Sequence, residues 1–180
     1  MLTITIPATE EYDDAREEFI ETREQTLTLE HSLVSISKWE SKWHKPFLGK
    51  EEKTQEETLD YIRCMTITKN VDPNVYYAMT PDIIKQINDY IENPMTATWF
   101  SDRHKGPRNR EVITSELIYY WMTALQIPFE CDKWHFNRLM TLIQVASIKS
   151  QPPKKMGKKE AMNQQRMLNA ARRAKTGSRG

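Results

Sequence analysis

The sequence predicts an α+β fold that is mainly α-helical, in which a small N-terminal β element precedes a helical bundle and a basic C-terminal helical tail. Three observations predict it. The first residues alternate apolar and polar side chains as a strand does. Residues 32–148 carry apolar stripes at helical spacing behind capping residues. The composition changes after Pro153. We therefore expect a globular domain over residues 1–150 and a basic extension over residues 151–180.

The N-terminal segment MLTITI alternates leucine and isoleucine with threonine up to Pro7, which predicts a short strand. Residues 26–33 repeat the alternation of threonine and leucine and can pair with that strand. The acidic residues between the two segments place Tyr12, Ala15 and Phe19 at helical spacing. We expect strand, helix and strand here, with a long acidic hairpin as the competing form.

Two helices with clear start signals follow. Ser32 or Ser35 caps the first, and Pro46 ends it because proline cannot continue a helix. The second begins near Thr54, which forms a T-x-x-E capping box with Glu57. Their apolar stripes predict that both helices pack on a core.

A third helix has Thr80 as its cap and Pro81 in its first turn, and it stops before Pro94. A polar loop over residues 101–111 comes next. Thr114 then caps a strongly apolar helix with the sequence SELIYYWMTALQ.

Asp132 begins the fifth helix, and Pro128 lies in the short turn before it. We expect helices over residues 114–127 and 133–148 to form an antiparallel hairpin, because the connection is too short for another arrangement. The side chains expected in the core are Ile118, Trp121, Leu125, Leu139, Leu142 and Ile143.

The net charge of +1 is the sum of an acidic N-terminal segment and a basic C-terminal segment. Residues 1–30 hold nine acidic against two basic side chains, a net charge of −7, whereas residues 149–180 hold ten basic against one acidic, a net charge of +9. Such asymmetry predicts an acidic and a basic surface with different partners.

The sequence has no sign of a membrane or secretory segment. Its N-terminus lacks a basic region followed by an apolar run, and no stretch reaches 18 apolar residues. Cys64 and Cys131 lack CxxC spacing and stand in apolar helical contexts, so we expect two buried, reduced thiols. A cytosolic protein is expected.

No catalytic, metal or cofactor site is predicted. His31, His44, His104 and His135 are scattered, whereas zinc needs three or four convergent ligands. There is no GxSxG motif, and the i, i+4 spacing of Cys131 and His135 is weak support for a thiolate dyad. Neither GKEEKT nor GKKE has the glycine spacing of a phosphate loop. We expect a protein that is not an enzyme.

Trp39 and Trp43 lie four residues apart and share one helix face with Ile36. Two interpretations stand side by side. The pair is an aromatic seam in the core, against the 114–127 and 133–148 helices, or it is a half-exposed strip that a partner covers.

The phrases LEHSLVSISKWESKWHKPFL, TLDYIRCM and ITSELIYYWMTALQIPFECDKWHFNRLMTLI, with the basic RRAKTG ending, resemble the tail assembly chaperones of long-tailed bacteriophages. The resemblance extends over nearly the whole chain and rests on helix faces rather than on a catalytic signature. It implies a non-enzymatic helper of virion assembly in the host cell cytoplasm. Such a helper binds and solubilises the tape-measure protein and recruits tail-tube subunits, and we expect it to self-associate or to act in multiple copies along its partner.

A chaperone for a long helical protein needs an apolar strip to cover helix faces and an acidic surface for solubility, which the acidic residues over 10–24 are expected to supply. We therefore expect an aromatic groove, with the basic tail as a second contact. The partner-binding residues expected are Trp39, Trp43, Tyr61 and Tyr119 in the groove, and Lys158, Lys159, Arg172 and Arg173 in the tail.

Two alternatives remain at this point. The first is a minor structural protein of the phage tail or the head–tail junction, which would stay in the virion. The second is a nucleic-acid-binding protein that uses the basic tail. The nucleic-acid-binding alternative has less support than the structural one, because the tail has no aromatic residue to stack on bases.

Deletion of residues 152–180 should leave the melting temperature of the body nearly unchanged and should alter partner binding, because the composition changes after Pro153. Differential scanning calorimetry of the full and shortened chains checks this. A large loss of thermal stability would show that the tail belongs to the folded body.

Overall fold

The first strand, β1 (Leu2–Ile6), pairs antiparallel with β4 (Gln25–Leu29). The register sets Ile4 opposite Leu27, and these side chains are buried together with those of Ile6 and Leu29. The opposite face carries threonines, and the Thr5 and Thr26 hydroxyls lie 3.1 Å apart. The predicted alternation is confirmed, because one face of this ribbon joins the core.

The computed structural model describes residues 1–13, 18–100, 111–151 and 157–177, and for residues 11–13, 18–21 and 158–161 it describes the backbone alone. The chain divides into two compact units, Met1–Ile148 and Lys149–Gly180. The fold of the chain is α+β and mainly helical, with a small N-terminal β element, as the sequence predicts.

The acidic segment between β1 and β4 forms a hairpin of β2 (Thr9–Asp13) and β3 (Glu18–Thr22). The expected helix is therefore wrong, and the competing hairpin is the form observed. The apolar residues that fit a helix also fit a ladder, since the register sets Tyr12 opposite Phe19. Aromatic pairs across strands favour this arrangement.

Both predicted caps of the next two helices are confirmed. Ser32 caps α1 (Leu33–Trp43) in a reciprocal pair with Ser35, and the helix ends at His44 in the left-handed region. Thr54 caps α2 (Gln55–Met65) through the expected box with Glu57. The two helices pack against each other. After α2, the Ile67 amide donates to the Thr28 carbonyl oxygen (2.8 Å), so this segment covers the outer edge of β4.

The third helix, α3 (Pro81–Glu92), starts at Thr80 as predicted and packs on β1. A 3-10 turn at Pro73–Tyr76 precedes it. The apolar stripe of α3 is Ile83, Ile87 and Tyr90, and these residues are buried. The predicted polar loop that follows lies outside the described residues, apart from residue 111.

The fourth helix, α4 (Ser115–Ala124), is capped by a side chain that is far away in the sequence. Thr114 is the N-cap residue as predicted, but in the described residues its side chain accepts no hydrogen bond from the helix backbone. The buried carboxylate of Glu40 replaces it. Its Oε2 accepts the Ser115 amide N–H (2.7 Å), and its Oε1 accepts the Phe47 amide N–H (2.7 Å). One side chain of α1 therefore holds the start of α4 and the chain that leaves α1.

The fifth helix, α5 (Phe136–Ser150), begins later than expected. A 3-10 turn (Phe129–Lys133) takes the place of the predicted first turn, and His135 then forms an isolated β-bridge with Ser32. The Phe136 amide donates to the His31 carbonyl oxygen (2.7 Å), which fixes the start of α5 against the start of α1. α4 packs against α1, and the expected antiparallel hairpin of α4 and α5 stays a prediction.

Half of the predicted core positions are fully enclosed. Ile118, Leu139 and Ile143 are buried, whereas the side chains that remain half-buried are Trp121, Leu125 and Leu142. The reason is the register of α4, whose buried positions are Ser115, Ile118 and Met122. We therefore expect Trp121→Ala to cost less than the full cavity penalty of an enclosed aromatic side chain.

The basic extension contains α6 (Lys158–Thr176). Gly177 ends it with φ 64°, a left-handed conformation that favours glycine, and donates its amide to the Arg173 carbonyl oxygen (2.9 Å). Every side chain described in this helix, from Met162 onward, is exposed.

Glu40→Ala should lower the free energy of unfolding by about 3 kcal/mol, because it leaves two buried amide groups without an acceptor. Glu40→Gln should cost less, since its amide oxygen still accepts one of the two hydrogen bonds. Urea titrations of both variants measure this, with the exposed Glu92→Ala as a control on a helix end. Equal stability of Glu40→Ala and wild type would contradict the capping role.

Candidate partner-binding surfaces

Two residues of the expected aromatic groove lie in the core. Trp39 is 1% exposed and Tyr61 is 4% exposed. The Trp39 indole N–H donates to the Glu57 carbonyl oxygen (2.8 Å), and its ring meets Phe47 edge-on. The Tyr61 hydroxyl lies 2.5 Å from Nδ1 of His31. These two side chains are enclosed, so they do not line a groove at the surface. Trp39 belongs to the core, as one of the two interpretations has it, but it is held there by α2 and Phe47, whereas the seam was expected against the 114–127 and 133–148 helices.

Trp43 is half-buried at the edge of the same seam. Its indole N–H donates to Oδ2 of Asp60 (2.9 Å), and Lys42 pairs with Oδ1 of that carboxylate (2.5 Å). A second ion pair joins Lys45 to Glu57 (2.7 Å), and the hydrogen bond from Lys45 lowers the pKa of Glu57. The Asp60 and Glu57 carboxylates beside the seam are thus each paired with a lysine.

Tyr119 marks a different surface. Its ring centroid lies 6.2 Å from that of Phe129 in the 3-10 turn after α4, and its hydroxyl donates to Asp132 (3.3 Å). Burial and the nearby Asp132 carboxylate raise the pKa of Tyr119 to about 12. Tyr120 is the next residue along α4 and is 66% exposed, while Phe129 is 57% exposed. We call Tyr119, Tyr120 and Phe129 the aromatic surface.

Sequence reasoning found Tyr119 and missed Tyr120 and Phe129. The exposed side of α4 is set by the Glu40 cap and by the packing of Ile118 and Met122 on α1, which the sequence alone does not place. The available signal for Tyr120 was Glu116, a charged residue four positions earlier on the same face of an otherwise apolar helix.

The four expected tail residues all lie in α6. Lys158 and Lys159 are in its first turn, and Arg172 and Arg173 are exposed near its end. At a rise of 1.5 Å per residue, the two pairs are about 20 Å apart, so they form two basic points along one helix rather than one cluster.

The structure also brings together a buried polar network that the sequence did not predict. The His31 ring centroid lies 5.1 Å from that of His135, which in turn lies 4.9 Å from that of Tyr90. The Tyr90 hydroxyl donates to Oε1 of Glu30 (2.6 Å), and Nε2 of His135 lies 2.9 Å from the Tyr90 carbonyl oxygen. No local motif signals this contact, because the two histidines are far apart in sequence.

The network favours uncharged histidines. Burial, with the nearby His135 as the next cause, lowers the pKa of His31 to about 3, and burial also lowers the pKa of His135. Burial raises the pKa of Tyr61 and of Tyr90, so both hydroxyls keep their protons. The arrangement links the starts of α1 and α5 to the end of α3 through neutral histidine and tyrosine side chains and through the Glu30 carboxylate, which also pairs with the N-terminal ammonium group (3.1 Å).

The other reactive side chains are isolated. Within the described residues, no three histidine, cysteine or acidic side chains converge as metal ligands would. Cys131 is buried as expected and Cys64 is half-buried, and burial raises the pKa of both thiols. No described helix is both long enough and apolar enough to cross a membrane.

Comparisons with protein-family models, with curated proteins and with solved structures give no match for this chain. The surfaces described above therefore carry the functional argument together with the sequence resemblance.

The stability of the body should fall as the pH is lowered from about 6.5 toward 3. His31 stays neutral in the folded chain down to a pKa of about 3, whereas in the unfolded chain it binds a proton below its usual pKa of 6.5. Each such histidine lowers stability by about 1.4 kcal/mol per pH unit within this window. Urea unfolding at pH 7 and pH 5 measures the change.

His31→Gln keeps a polar partner for Tyr61 and removes the titration, so its stability should depend less on pH. His44→Asn is the matched control, since His44 is exposed and asparagine tolerates its left-handed backbone. The same pH dependence in His31→Gln and wild type would refute the assignment.

Proposed function

We propose that this chain is a non-enzymatic tail assembly chaperone of a long-tailed bacteriophage, which binds and solubilises the tape-measure protein and helps to recruit tail-tube subunits. The observation that carries the proposal is the aromatic surface. Tyr120 and Phe129 expose most of their rings to solvent, as Tyr77 and Trp99 do elsewhere on the body, and Phe129 lies beside Tyr119. Together with the resemblance in sequence, this favours a protein that binds other proteins.

The aromatic surface suits a helical partner. Aromatic side chains are enriched where proteins meet, because they bury a large area with few rotatable bonds. A partner helix presents apolar side chains at i, i+3, i+4 and i+7, and exposed rings on the outer side of α4 can lie between them. The hydrogen bond to Asp132 holds the Tyr119 side chain in one orientation, so little rotamer entropy is lost when a partner contacts its ring edge.

The surface replaces the groove that the sequence predicts around Trp39, Trp43 and Tyr61. It keeps Tyr119, the one expected aromatic residue that reaches the surface beside exposed rings. The basic helix α6 provides the second surface for assembly contacts, as proposed from the sequence. Many copies acting along one long partner in the host cytoplasm are part of the same proposal.

A minor structural protein of the tail or the head–tail junction is the second candidate. The observation that favours it is the opposite charge of the two ends of the chain, which suits repeated contacts in a ring. Mass spectrometry of purified particles separates the candidates, because a chaperone is absent from the mature particle and a structural protein is present.

Co-expression with the tape-measure protein of the same phage tests the proposal. The wild-type chain should increase the soluble yield of that protein and should co-purify with it. Tyr120→Ala and Phe129→Ala should each weaken binding by about 1–2 kcal/mol, or about 5- to 30-fold, measured by calorimetry on the purified complex.

Tyr77→Ala is the matched control, because Tyr77 is 64% exposed on another part of the body. It should leave binding unchanged. The proposal fails if the partner is equally soluble without this chain, and the surface assignment fails if Tyr77→Ala weakens binding as much as Tyr120→Ala.

A further inference from the structure

The outer edge of β4 is covered by the chain that follows α2. The Thr28 amide donates to the Thr68 hydroxyl (2.8 Å), and the Thr28 carbonyl oxygen accepts the Ile67 amide N–H (2.8 Å). Both backbone groups of Thr28 therefore point away from β1. In an antiparallel ladder, such residues alternate with residues whose backbone groups bond to the neighbouring strand.

The same alternation determines which groups lie on the outer edge of β1. Thr3 lies opposite Thr28 and Thr5 lies opposite Thr26, so the backbone N–H and C=O groups of Thr3 and Thr5 point away from β4. The close approach of the Thr5 and Thr26 hydroxyls agrees with this, because side chains are nearest at such pairs.

This edge of β1 is open. In the part of the chain that the structure describes, no group bonds to the outward N–H and C=O groups of Thr3 and Thr5. The side chains of both threonines are exposed. Since unpaired backbone groups are costly to bury, these groups face solvent.

The composition of β1 is that of a strand inside a sheet. After Leu2, β-branched threonine and isoleucine alternate, and both are enriched in strands. Edge strands are usually protected from further pairing by lysine, proline or a bulge. β1 contains no charged residue and no proline, and its register with β4 is continuous. The edge is therefore a template for another strand.

The strand that pairs with this edge comes from another chain. The described strands β2, β3 and β4 are already paired within the ribbon. The segments outside the described residues consist mainly of charged residues, prolines and glycines, which are poor strand formers. These segments are residues 14–17, 101–110, 152–156 and 178–180.

We infer that β1 pairs antiparallel with β1 of a second copy of this chain, across a two-fold axis at Ile4. This register sets Thr3 of each copy opposite Thr5 of the other. Every outward N–H group of the two threonines then meets an outward C=O group of the other copy. The inference does not depend on the proposed chaperone function.

The side chains of two β1 strands also match in this register. Threonines meet threonines on one face, and Leu2, Ile4 and Ile6 continue the apolar face on the other. Threonine pairs across strands are favourable, and the absence of charge in β1 removes repulsion between the copies.

Two-fold closure favours a second copy over a strand of another protein. The pairing joins the two ribbons into a four-stranded sheet in the order β4, β1, β1, β4. Both outer strands of this sheet are then β4 strands, whose edges residues 66–68 cover. A strand of another protein would bring a new edge of its own, whereas two copies leave none open.

Charged residues at positions 3 and 5 of the full-length chain test both the pairing and its register. Thr3→Lys with Thr5→Lys sets lysine opposite lysine between the copies. Thr3→Lys with Thr5→Glu sets lysine opposite glutamate. Both threonines are exposed, so both variants should fold, which circular dichroism and thermal unfolding check.

Sedimentation velocity over a concentration series should show wild type in equilibrium between monomer and dimer. The variant with two lysines should have a dissociation constant about tenfold higher or more, because like charges are directly opposed. The variant with lysine and glutamate should dimerise at least as tightly as wild type. Raising the salt from 0.1 to 0.5 M roughly halves the Debye length and should leave the uncharged wild-type contact unchanged.

Amide hydrogen exchange measured by NMR provides a second test. The amides of Thr3 and Thr5 should exchange more slowly as the concentration of wild type rises. The amides of Ile4 and Ile6 should show no such change, because they are already bonded to β4.

Thr26→Lys with Thr28→Lys is the matched control, since it adds the same charge to the same face of β4 and should leave the dimer unchanged. A wild type that is monomeric at every concentration would overturn the inference. So would a variant with two lysines that dimerises as tightly as wild type or more tightly than the variant with lysine and glutamate. Protection of the Thr3 and Thr5 amides only on addition of the tape-measure protein would assign the edge to that partner instead.

Discussion

The fold depends on the carboxylate of Glu40. Each of its oxygens accepts a backbone amide hydrogen bond of 2.7 Å, one from Phe47 after α1 and one from Ser115 at the start of α4. A helix end buried without a partner for its amide groups is costly, and a negative charge is best placed at that end. The capping site therefore decides where α4 begins, which side of it faces α1, and which side is left to solvent. The aromatic surface on α4 is the direct result.

The elements that could be predicted from the sequence are those that local contacts specify. Ser32, Thr54 and Thr80 each satisfy amides only a few residues away, so a short motif contains all the necessary information. The hairpin was ambiguous because the same apolar residues fit a helix and a ladder, and the pairing of β2 with β3 is the form observed. The cap of α4 could not be predicted, because its acceptor, Glu40, is remote in sequence.

The residues of the candidate site could likewise be predicted only in part. The sequence places aromatic residues on helices, but the exposure of each side chain depends on which elements pack over it. Trp39 and Tyr61 are therefore buried, whereas Tyr120 is exposed. The two histidines at the junction of α1 and α5 show the same limit. His31 and His135 look unremarkable in sequence and meet only because a single β-bridge joins Ser32 to His135. The charge asymmetry, by contrast, can be read entirely from the sequence. The structure only assigns the two charged segments to their elements.

The hairpin of β2 and β3 lies within the connection between β1 and β4, and this nesting matters for the order in which the chain closes. Pairing the inner strands first shortens the flexible chain that the outer pair must close. For a polymer loop, the shortening lowers the entropy cost of that closure by about 1 kcal/mol. The outer pair then supplies Leu27 and Leu29 to the core. Repulsion within the acidic ribbon thus affects the formation of the core, so we expect the ionic strength during synthesis to influence how readily the core begins to form.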